Sequence, residues 1–493
     1  MATLTVRRFI TALLCGLGAI AARAQQPLPE AVQAALRSAQ IADSSFSATV
    51  LPLAGGNTRL AHRSDEPMAP ASTMKLLTTA VALEQLGPTF RWRTELLALG
   101  ELKGSTLSGP LYLRGGGDPS LSWQRLQLML RTLRAQGVRH LRGDLVLDRS
   151  YFSPERPDLG AAPFDESPDA YYNVIPDALL LHSNLLDLDL RSDARSVHVQ
   201  LRNPMQGVQV RSQQRLIDAD CKDWDDGWVA PALRQDRSGT AHITLLGTFP
   251  RGCAVQATTN SLPRNLFIER SVRALWRELG GSWSGRARDG HAPANAKLLV
   301  EQSSDTLADA VKLVNKRSDN AMARTLYLTL GARYDKADAW ADHAQSARAQ
   351  VTDWLALHGI NADGLVLDNG SGLSRSERLS ARQLAQVLQA SARSPWYAEL
   401  ATSLPIAGLD GAMRRRLQGT PAALHSRIKT GSLRDTASVA GIVRDASGTD
   451  WVVVGMVNDA RAKQGRPALD ALILWAAGTT VATAPPQPLE PSR

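Results

Sequence analysis

The pattern of hydrophobic and polar positions changes its period several times along the chain. Residues 46–53 have the pattern of a strand, Gly55-Gly56-Asn57 has the composition of a hairpin turn, and residues 58–62 would form the return strand. After a break rich in proline, residues 72–86 follow a helical period that ends before Gly87. The pattern therefore predicts the order strand, strand, helix.

A long, mostly β region comes next, from about residue 91 to residue 267. It contains many short β-type segments with turn signals and one helical stretch at residues 122–136. The chain then turns helical, and Ser380 and Gln383 form a capping-box pattern at the start of a later helix. Three consecutive strands are predicted within residues 426–459, followed by a closing helix and a proline-rich tail.

The first 24 residues predict a secretory signal peptide. Arg7 and Arg8 precede a short apolar run, and Ala22-Arg23-Ala24 forms a cleavage site of the small-residue type. Cys15 lies inside this leader and follows Leu14, where lipid attachment would require a small residue. Because the apolar run is too short to span a bilayer, we expect a periplasmic protein with at most peripheral membrane association.

The predicted export also bears on the cysteines, which can form a disulfide outside the cytoplasm, and on the net charge of the chain. Cys221 and Cys253 remain after removal of the leader, and an even pair in an oxidising compartment predicts a disulfide. The two cysteines are far apart and the nine histidines show no ligand spacing, so we expect no metal and no cofactor. The net charge of +9 is dispersed along an exported chain, which disfavours nucleic-acid binding.

Three short motifs carry candidate chemistry. Ser72 and Lys75 stand three apart at a helix start, where they share a face, and a desolvated lysine can accept a serine proton. Alone, this spacing is more often an N-cap serine with a surface lysine, and Ser426-Arg427-Ile428-Lys429 shares it. Ser318-Asp319-Asn320 joins two helical patterns, and Lys429-Thr430-Gly431 begins a predicted strand. In this order the motifs form the signature of penicillin-recognising serine enzymes.

With these motifs, the sequence resembles the D-alanyl-D-alanine carboxypeptidase/endopeptidases of the penicillin-binding protein 4 type, the class C low-molecular-mass penicillin-binding proteins. The resemblance extends over nearly the whole mature chain. It is carried by the segments PASTMKLLTTAVALEQLG, LYLRGGGDPSL, VNKRSDNAMARTL, DNGSGLSR, LPIAGLDGAMRRRL and IKTGSLRDTASVAGIV.

The resemblance implies an α/β (α+β) fold of the penicillin-binding and serine β-lactamase-like transpeptidase type. Such a fold has an antiparallel sheet flanked by helices, and here a large, mostly β insertion would interrupt it. We therefore expect the catalytic domain to comprise residues 25–90 and 268–481. Residues 91–267 would be the insertion, built as two small domains, and residues 482–493 a disordered tail.

The resemblance also implies a role for each motif residue. Ser72 would be the acylated nucleophile and Lys75 its general base. Ser318 would relay a proton to the leaving group, and Asn320 would bond the peptide backbone of the substrate. Lys429 would help to keep Lys75 neutral and would attract the substrate carboxylate.

The residues after Lys429 would bind substrate. The hydroxyls of Thr430 and Ser432 could hold the terminal carboxylate, and Gly431 would let a substrate strand approach the backbone. The family's oxyanion hole maps onto the backbone N–H groups of Ser72 and Ser432. An alternative second motif is Tyr171-x-Asn173, because class C β-lactamases use Tyr-x-Asn; its place in the predicted insertion disfavours it.

The implied function is that of an exported serine D,D-peptidase that cleaves peptidoglycan stem peptides and is inhibited by β-lactams. Carboxypeptidase and endopeptidase action both remain open, because they differ only in the leaving group. The alternatives are a β-lactamase or esterase on the same fold, and a non-catalytic envelope protein that binds wall peptides. The absence of a Gly-x-Ser-x-Gly sequence disfavours a hydrolase with a Ser-His-Asp triad.

Overall fold

The structure is a computed structural model that describes residues 27–478. The predicted signal peptide, Cys15 and the predicted tail at residues 482–493 lie outside the described residues. The helices of the described part are α1 (Glu30–Ser38), α2 (Met74–Leu86), α3 (Trp123–Ala135), α4 (Arg264–Glu278), α5 (Leu307–Arg317), α6 (Asn320–Arg333), α7 (His343–Leu357), α8 (Ala381–Arg393), α9 (Tyr397–Ser403) and α10 (Arg466–Ala476).

The strands within residues 27–478 fall into five sheets. In chain order the strands of the described part are β1 (Phe46–Pro52), β2 (Leu60–His62), β3 (Arg93–Ala98), β4 (Leu102–Lys103), β5 (Thr106–Ser108), β6 (Leu111–Gly115), β7 (His140–Arg142), β8 (Leu145–Asp148), β9 (Leu186–Ser192), β10 (Val197–Leu201), β11 (Val208–Ser212), β12 (Arg215–Ile217), β13 (Trp228–Gln235), β14 (Ala241–Pro250), β15 (Ala254–Thr259), β16 (Ser282–Trp283), β17 (Ala287–Asp289), β18 (Lys297–Ser303), β19 (Ser426–Leu433), β20 (Thr436–Arg444) and β21 (Asp450–Asn458).

One antiparallel sheet, in the order β19-β20-β21-β1-β2, forms the centre of the catalytic part. Its strands alternate apolar side chains between two buried faces, as a period of two requires. On β21, Val452 and Val454 pack into the core below α2 and α8, whereas Val453 and Val457 pack against α1 and α10. The predicted antiparallel sheet flanked by helices is therefore present.

Helix α2, which follows the Ser72 segment, is buried on all sides over most of its length. Residues 74–83 are all buried, and the helix contacts α5, α6 and α8. A helix that is apolar all round belongs in the interior of a protein. This position makes α2 a fixed support for the residues at its first turn.

The inserted region is a separate β-rich body with its own core. It contains the sheets β17-β8-β6-β3-β18, β16-β7-β5-β4 and β10-β9-β15, together with a sheet centred on β14. Helices α3 and α4 pack on these strands in one hydrophobic cluster. The predicted disulfide is present in this region, where Cys221 and Cys253 are bonded with their Cα atoms 5.3 Å apart.

The structure corrects the predicted end of the insertion at residue 267. Phe267, Val272 and Trp276 of α4 belong to the core of the inserted region. Strand β18 then returns beside β3, with Ser303 opposite Arg93. The chain therefore leaves the insertion next to the point where it entered. The prediction failed because an amphipathic helix shows the same pattern whichever core it covers.

Every helix in residues 27–478 is too short or too polar to cross a membrane. The capping box at the start of α8 is present as predicted, with Ser380 and Gln383 each bonding the backbone N–H of the other.

Candidate active site

Ser72 lies in a short 3-10 turn, Ala71–Thr73, which leads directly into α2. Thr73 is the residue that precedes the helix, and no side chain caps the helix N-terminus. The Ser72 hydroxyl is instead 2.9 Å from Lys75 Nζ. The arrangement of an N-cap serine with a surface lysine is therefore not what the structure shows.

Lys75 has no exposed surface, and its amine has three oxygen partners. Besides Ser72 Oγ, these are Asn320 Oδ1 at 2.6 Å and the backbone oxygen of Ser371 at 2.5 Å. Two partners are carbonyl-type oxygens, which only accept hydrogen bonds, whereas a hydroxyl can also donate. The Ser72 hydroxyl is thus the only one of the three that can give a proton to the amine.

Burial lowers the pKa of Lys75 well below its usual value, and the positive charge of Lys429 lowers it further. The negative charges of Asp319 and Glu377 act in the opposite direction, but they are smaller effects. Burial dominates because an ammonium group loses its hydration when no surface is exposed. The environment of Lys75 therefore favours the neutral amine that a general base requires.

The Ser318-Asp319-Asn320 motif occupies the junction between α5 and α6. Ser318 ends α5 in the left-handed conformation, with φ of 61°, and Asp319 caps α6 by accepting from the Met322 N–H. This sharp change of direction turns Ser318 toward one lysine and Asn320 toward the other.

Lys429 donates to Ser318 Oγ at 2.8 Å and to the Thr430 carbonyl oxygen at 2.7 Å. It also has no exposed surface, and burial lowers its pKa to about 7. Each lysine therefore contacts one member of the motif between α5 and α6. The two contacts join the three predicted motifs into one cluster.

Strand β19 runs directly past the turn that holds the nucleophile. A Cβ on Gly431 would stand 2.9 Å from the Ser72 nitrogen and 2.8 Å from the Pro70 oxygen, so glycine permits the close approach. Ser432 follows on the exposed side and, like Ser72, lines the groove. Its hydroxyl accepts from Arg466 at 3.2 Å. Thr430 supplies the backbone oxygen that binds Lys429.

A groove of about 340 Å³ opens above these residues. Its floor includes Ser72, Ser318, Asn320 and Ser432, and its far wall comes from the inserted region, including Glu166 and Tyr171. Glu166 pairs with Arg434 at 2.8 Å where β19 ends, so an ion pair links the two walls. The insertion therefore helps to shape the site.

The alternative motif Tyr171-x-Asn173 lies beside the groove, in a short 3-10 turn. The Asn173 amide, however, bonds Asp165 Oδ1 of its own segment at 2.7 Å. Tyr172 contributes only a backbone oxygen to the cluster, which accepts from Asn320 Nδ2 at 2.9 Å. The geometry favours Ser318 and Asn320 as the second motif.

Sequence reasoning missed two contributions to the cluster. In the sequence, the segment DNGSGLSR is only one of those that carry the resemblance and is assigned no role, yet its Ser371 carbonyl contacts Lys75. Two residues beyond this segment, Glu377 is buried beneath it. Backbone oxygens leave no signal in a sequence, and Glu377, with Arg375 and Arg378 close to it in the chain, has the sequence signature of an ordinary surface glutamate.

Comparisons with known proteins identify the family. The model of the D-Ala-D-Ala carboxypeptidase 3 (S13) family matches residues 28–479. The chain belongs to this family. Among its relatives, the D-alanyl-D-alanine carboxypeptidase DacB of Haemophilus influenzae is 29% identical over 398 residues, which are 79% of this chain and 80% of that protein. The D-alanyl-D-alanine carboxypeptidase of an Actinomadura species is 28% identical over 449 residues, 85% and 79% of the two chains.

Solved structures confirm the predicted fold class. The crystal structure of penicillin binding protein 4 (dacB) from Haemophilus influenzae matches with a TM-score of 0.73 and 24% identity, covering 90% of this chain and 99% of that one. The same protein complexed with a β-lactam matches with a TM-score of 0.69, 23% identity and coverage of 90% and 97%. Membership of the S13 family, together with these relatives, supports serine D,D-peptidase activity for this chain.

Proposed function

We propose that this S13 family member hydrolyses D-alanyl-D-alanine peptide bonds of peptidoglycan stem peptides, with Ser72 as nucleophile and Lys75 as general base. The observation that carries these roles is the environment of the Lys75 amine. It is buried, it is 2.9 Å from Ser72 Oγ, and its two other partners are oxygens that only accept hydrogen bonds.

In the first step, the neutral Lys75 amine takes the proton from Ser72 as Oγ attacks the carbonyl carbon of the penultimate D-alanine. The carbonyl oxygen becomes an oxyanion, which the backbone N–H groups of Ser72 and Ser432 would stabilise. Both residues line the groove, and β19 lies against the Ser72 turn at Gly431.

In the second step, the bond to the leaving amine breaks and that amine receives a proton. Ser318 would relay to this amine the proton that Lys75 took from Ser72, and Lys429, which donates to the Ser318 hydroxyl at 2.8 Å, would hold that hydroxyl in place. A Ser72 ester remains, and water then attacks it with Lys75 again as the base. Ser72 and Lys75 return to their starting states. The net reaction is the hydrolysis of one peptide bond, with one water molecule consumed.

Substrate would bind along β19. Its terminal carboxylate would meet the positive charge of Lys429 and the hydroxyls of Thr430 and Ser432, and Asn320 would bond its peptide backbone. Release of a free D-alanine is carboxypeptidase action, and release of a cross-linked peptide is endopeptidase action; the open groove is compatible with both. We further propose that the protein is exported to the periplasm, where these peptides occur.

β-Lactams would acylate the same serine, as the β-lactam complex of the structurally similar Haemophilus influenzae protein suggests. The test is the intact mass of the protein after incubation with benzylpenicillin, with the modified residue located by peptide digestion. We expect a lasting one-to-one adduct on Ser72, and none on Ser72→Ala.

Ser426→Ala is the matched control, because Ser426 belongs to the other Ser-x-x-Lys sequence and its buried hydroxyl has no hydrogen-bond partner. We expect this variant to form the adduct normally. Consumption of benzylpenicillin without a lasting adduct would indicate a β-lactamase instead. Intact penicillin with unmodified protein would refute the proposed chemistry and support a binding protein.

A further inference from the structure

A loop with little regular structure lies beneath the Lys75 amine. This loop, defined here as residues 368–377, turns sharply at Gly370 and Gly372, which have φ values of 70° and 79°. Between these glycines, Ser371 presents its backbone oxygen to Lys75 at 2.5 Å. The position of one peptide group in this loop therefore determines one of the three contacts of the proposed base.

Glu377 holds this loop from below through its backbone N–H groups. The side chain is buried, with 1% of the residue exposed. Its Oε2 accepts from the Gly372 N–H at 2.8 Å, and its Oε1 accepts from three others: Asp368 at 3.3 Å, Asn369 at 3.0 Å and Gly370 at 2.8 Å. The two amides nearest Ser371 in sequence are thus both bonded to one carboxylate.

A carboxylate that fixes a loop from the interior loses hydration free energy, because its charge is removed from water. Burial raises the pKa of Glu377, and the N–H groups of Gly370 and Asn369 oppose that rise. Only an ionised carboxylate offers two oxygens that accept without donating, and here both oxygens are used. An amide side chain would turn a donor toward one of the N–H groups. The choice of residue is therefore explained by the need to accept on both sides of Ser371.

The orientation of the Ser371 carbonyl matters because a neutral amine has two N–H groups and one lone pair. Asn320 Oδ1 and Ser371 O accept the two N–H groups, which leaves the lone pair directed toward Ser72 Oγ. If the Ser371 carbonyl turned away, the amine could rotate about its last C–N bond. The lone pair would then face Ser72 for only part of the time.

We propose that Glu377 is a positioning residue for the general base: it fixes the peptide groups around Ser371, and the Ser371 carbonyl aims the Lys75 lone pair at Ser72. This inference rests on the proposed roles of Ser72 and Lys75. Glu377 itself touches neither the nucleophile nor the base.

Several charges face Lys75 and must be considered in any test that uses pH. Lys429 on β19 and Arg324 on α6 lower the pKa of Lys75, whereas Asp319 before α6 and Glu377 raise it. Glu377→Gln removes a negative charge and weakens the Ser371 bond to the ammonium form. Both effects lower the pKa of Lys75, so the acid limb of its pH–rate profile should move to lower pH.

The experiment measures the second-order rate of acylation by a fluorescent penicillin from pH 5 to pH 9. For Glu377→Gln we expect the plateau rate to fall about 10- to 100-fold, with the acid limb moved to lower pH. Glu377→Asp keeps the charge but is one methylene too short to reach the loop. It should show a similar fall of the plateau with a smaller movement of the limb.

Asp445→Asn is the matched control. Asp445 holds the β20–β21 turn in the same manner, accepting from the N–H groups of Ser447 and Thr449, but it lies outside the groove. We expect this variant to lose stability and to keep the wild-type acylation profile.

If Glu377→Gln does not fold, the plateau rate of acylation is measured on a second variant, Thr78→Val. Thr78 donates to the Gly370 carbonyl oxygen at 2.6 Å and so fastens the same loop from α2. A several-fold slower plateau in this variant supports the proposal, and a wild-type rate overturns it.

Two results with folded Glu377→Gln also overturn the proposal. One is a wild-type profile, and the other is a lower plateau that follows only the folded fraction with an unmoved acid limb. In both cases wild-type acylation at Ser72 would leave the proposed function intact. Wild-type protein that forms no Ser72 adduct would instead refute the proposed function itself.

Discussion

Two lysines without exposed surface stand within one hydrogen-bonded cluster. The pKa of Lys429 falls to about 7 and that of Lys75 falls well below its usual value, because burial disfavours the charged form of each. The two positive charges would also repel each other if both were present. The cluster is therefore arranged for reaction rather than for stability.

Replacement of Lys429 by methionine should make the protein more stable and less active. The pKa of Lys429 is about 7 in the folded protein, below its ordinary value of 10.5. Below pH 7 the amine is protonated in both states, and its buried charge then destabilises the fold most. This destabilisation disappears as the pH rises toward 10.5, where the unfolded chain also loses the proton. We expect Lys429→Met to raise the free energy of unfolding by about 1–3 kcal/mol at pH 6 and by less at pH 9.

Urea unfolding at the two pH values measures this change, and acylation by penicillin should fall by about 10²–10³-fold. The control is Lys316→Met, since Lys316 pairs with Asp410 at 2.5 Å near the surface. No gain in stability is expected there. A loss of stability in Lys429→Met at pH 6 would contradict the argument.

At the scale of elements, the contact between β19 and the Ser72 turn determines the site. Gly431→Ala would place a Cβ 2.3 Å from Ser438 Oγ and 2.9 Å from the Ser72 nitrogen, so the strand must move away from the turn. We expect a folded protein whose acylation rate is lower by about 100-fold or more, because the oxyanion donors separate.

Gly455→Ala is the matched control for this strand displacement. Its Cβ would stand 2.9 Å from Leu469 and Leu472 of α10, on the opposite side of the sheet from the groove. Thermal unfolding should show a loss of stability in both variants, whereas slow acylation should appear only in Gly431→Ala. Equal acylation rates in the two variants would show that the contact with the Ser72 turn is unimportant.

The elements and motifs of the catalytic part were predictable because their signals are local. The strands at residues 426–459, the helix after Ser72 and the junction between two helices at Ser318 follow from periodicity and turn chemistry. The Ser371 carbonyl was not predictable, because a backbone oxygen has the same sequence signature everywhere. Its position depends on the hydrogen bonds that the N–H groups of Gly370 and Gly372 donate to the Glu377 carboxylate, and these bonds form only in the folded loop.

At the scale of the whole molecule, a folded insertion stands beside the catalytic part and supplies one wall of its groove. Tyr172 accepts from Asn320, and Val174 accepts from Arg324 at 3.4 Å. The boundary at residue 267 could not be read from the sequence, because the pairing of β18 with β3 joins segments far apart in the chain. Such long-range strand pairings determine which hydrophobic core a helix packs against.

The disulfide should stabilise the insertion without affecting the chemistry. It closes a segment with a sequence separation of 32, which corresponds to about 3–4 kcal/mol in the chain-entropy account. We expect Cys221→Ser with Cys253→Ser to lower the free energy of unfolding of this region by about that amount, with an unchanged acylation rate. Neither cysteine lines the groove.

Amide hydrogen exchange of peptides from β14 and β15, measured at each urea concentration, reports on this region, because these strands flank Cys253 and pack in its core. Acylation at each urea concentration reports on the catalytic part. Simultaneous loss of both signals at lower urea would show that the two parts unfold as one unit.

The central sheet pairs strands from opposite ends of the described chain. Ser45 beside β1 bonds Asp459 after β21, and the two residues are 414 positions apart. Because the chain is made, and would be exported, with its N-terminus first, β1 emerges long before its partner strand β21. The insertion can close meanwhile, because its first and last strands pair with each other. A nascent or truncated chain would therefore carry the nucleophile but no reactive centre, so activity arises only when the last strands of the sheet have been added.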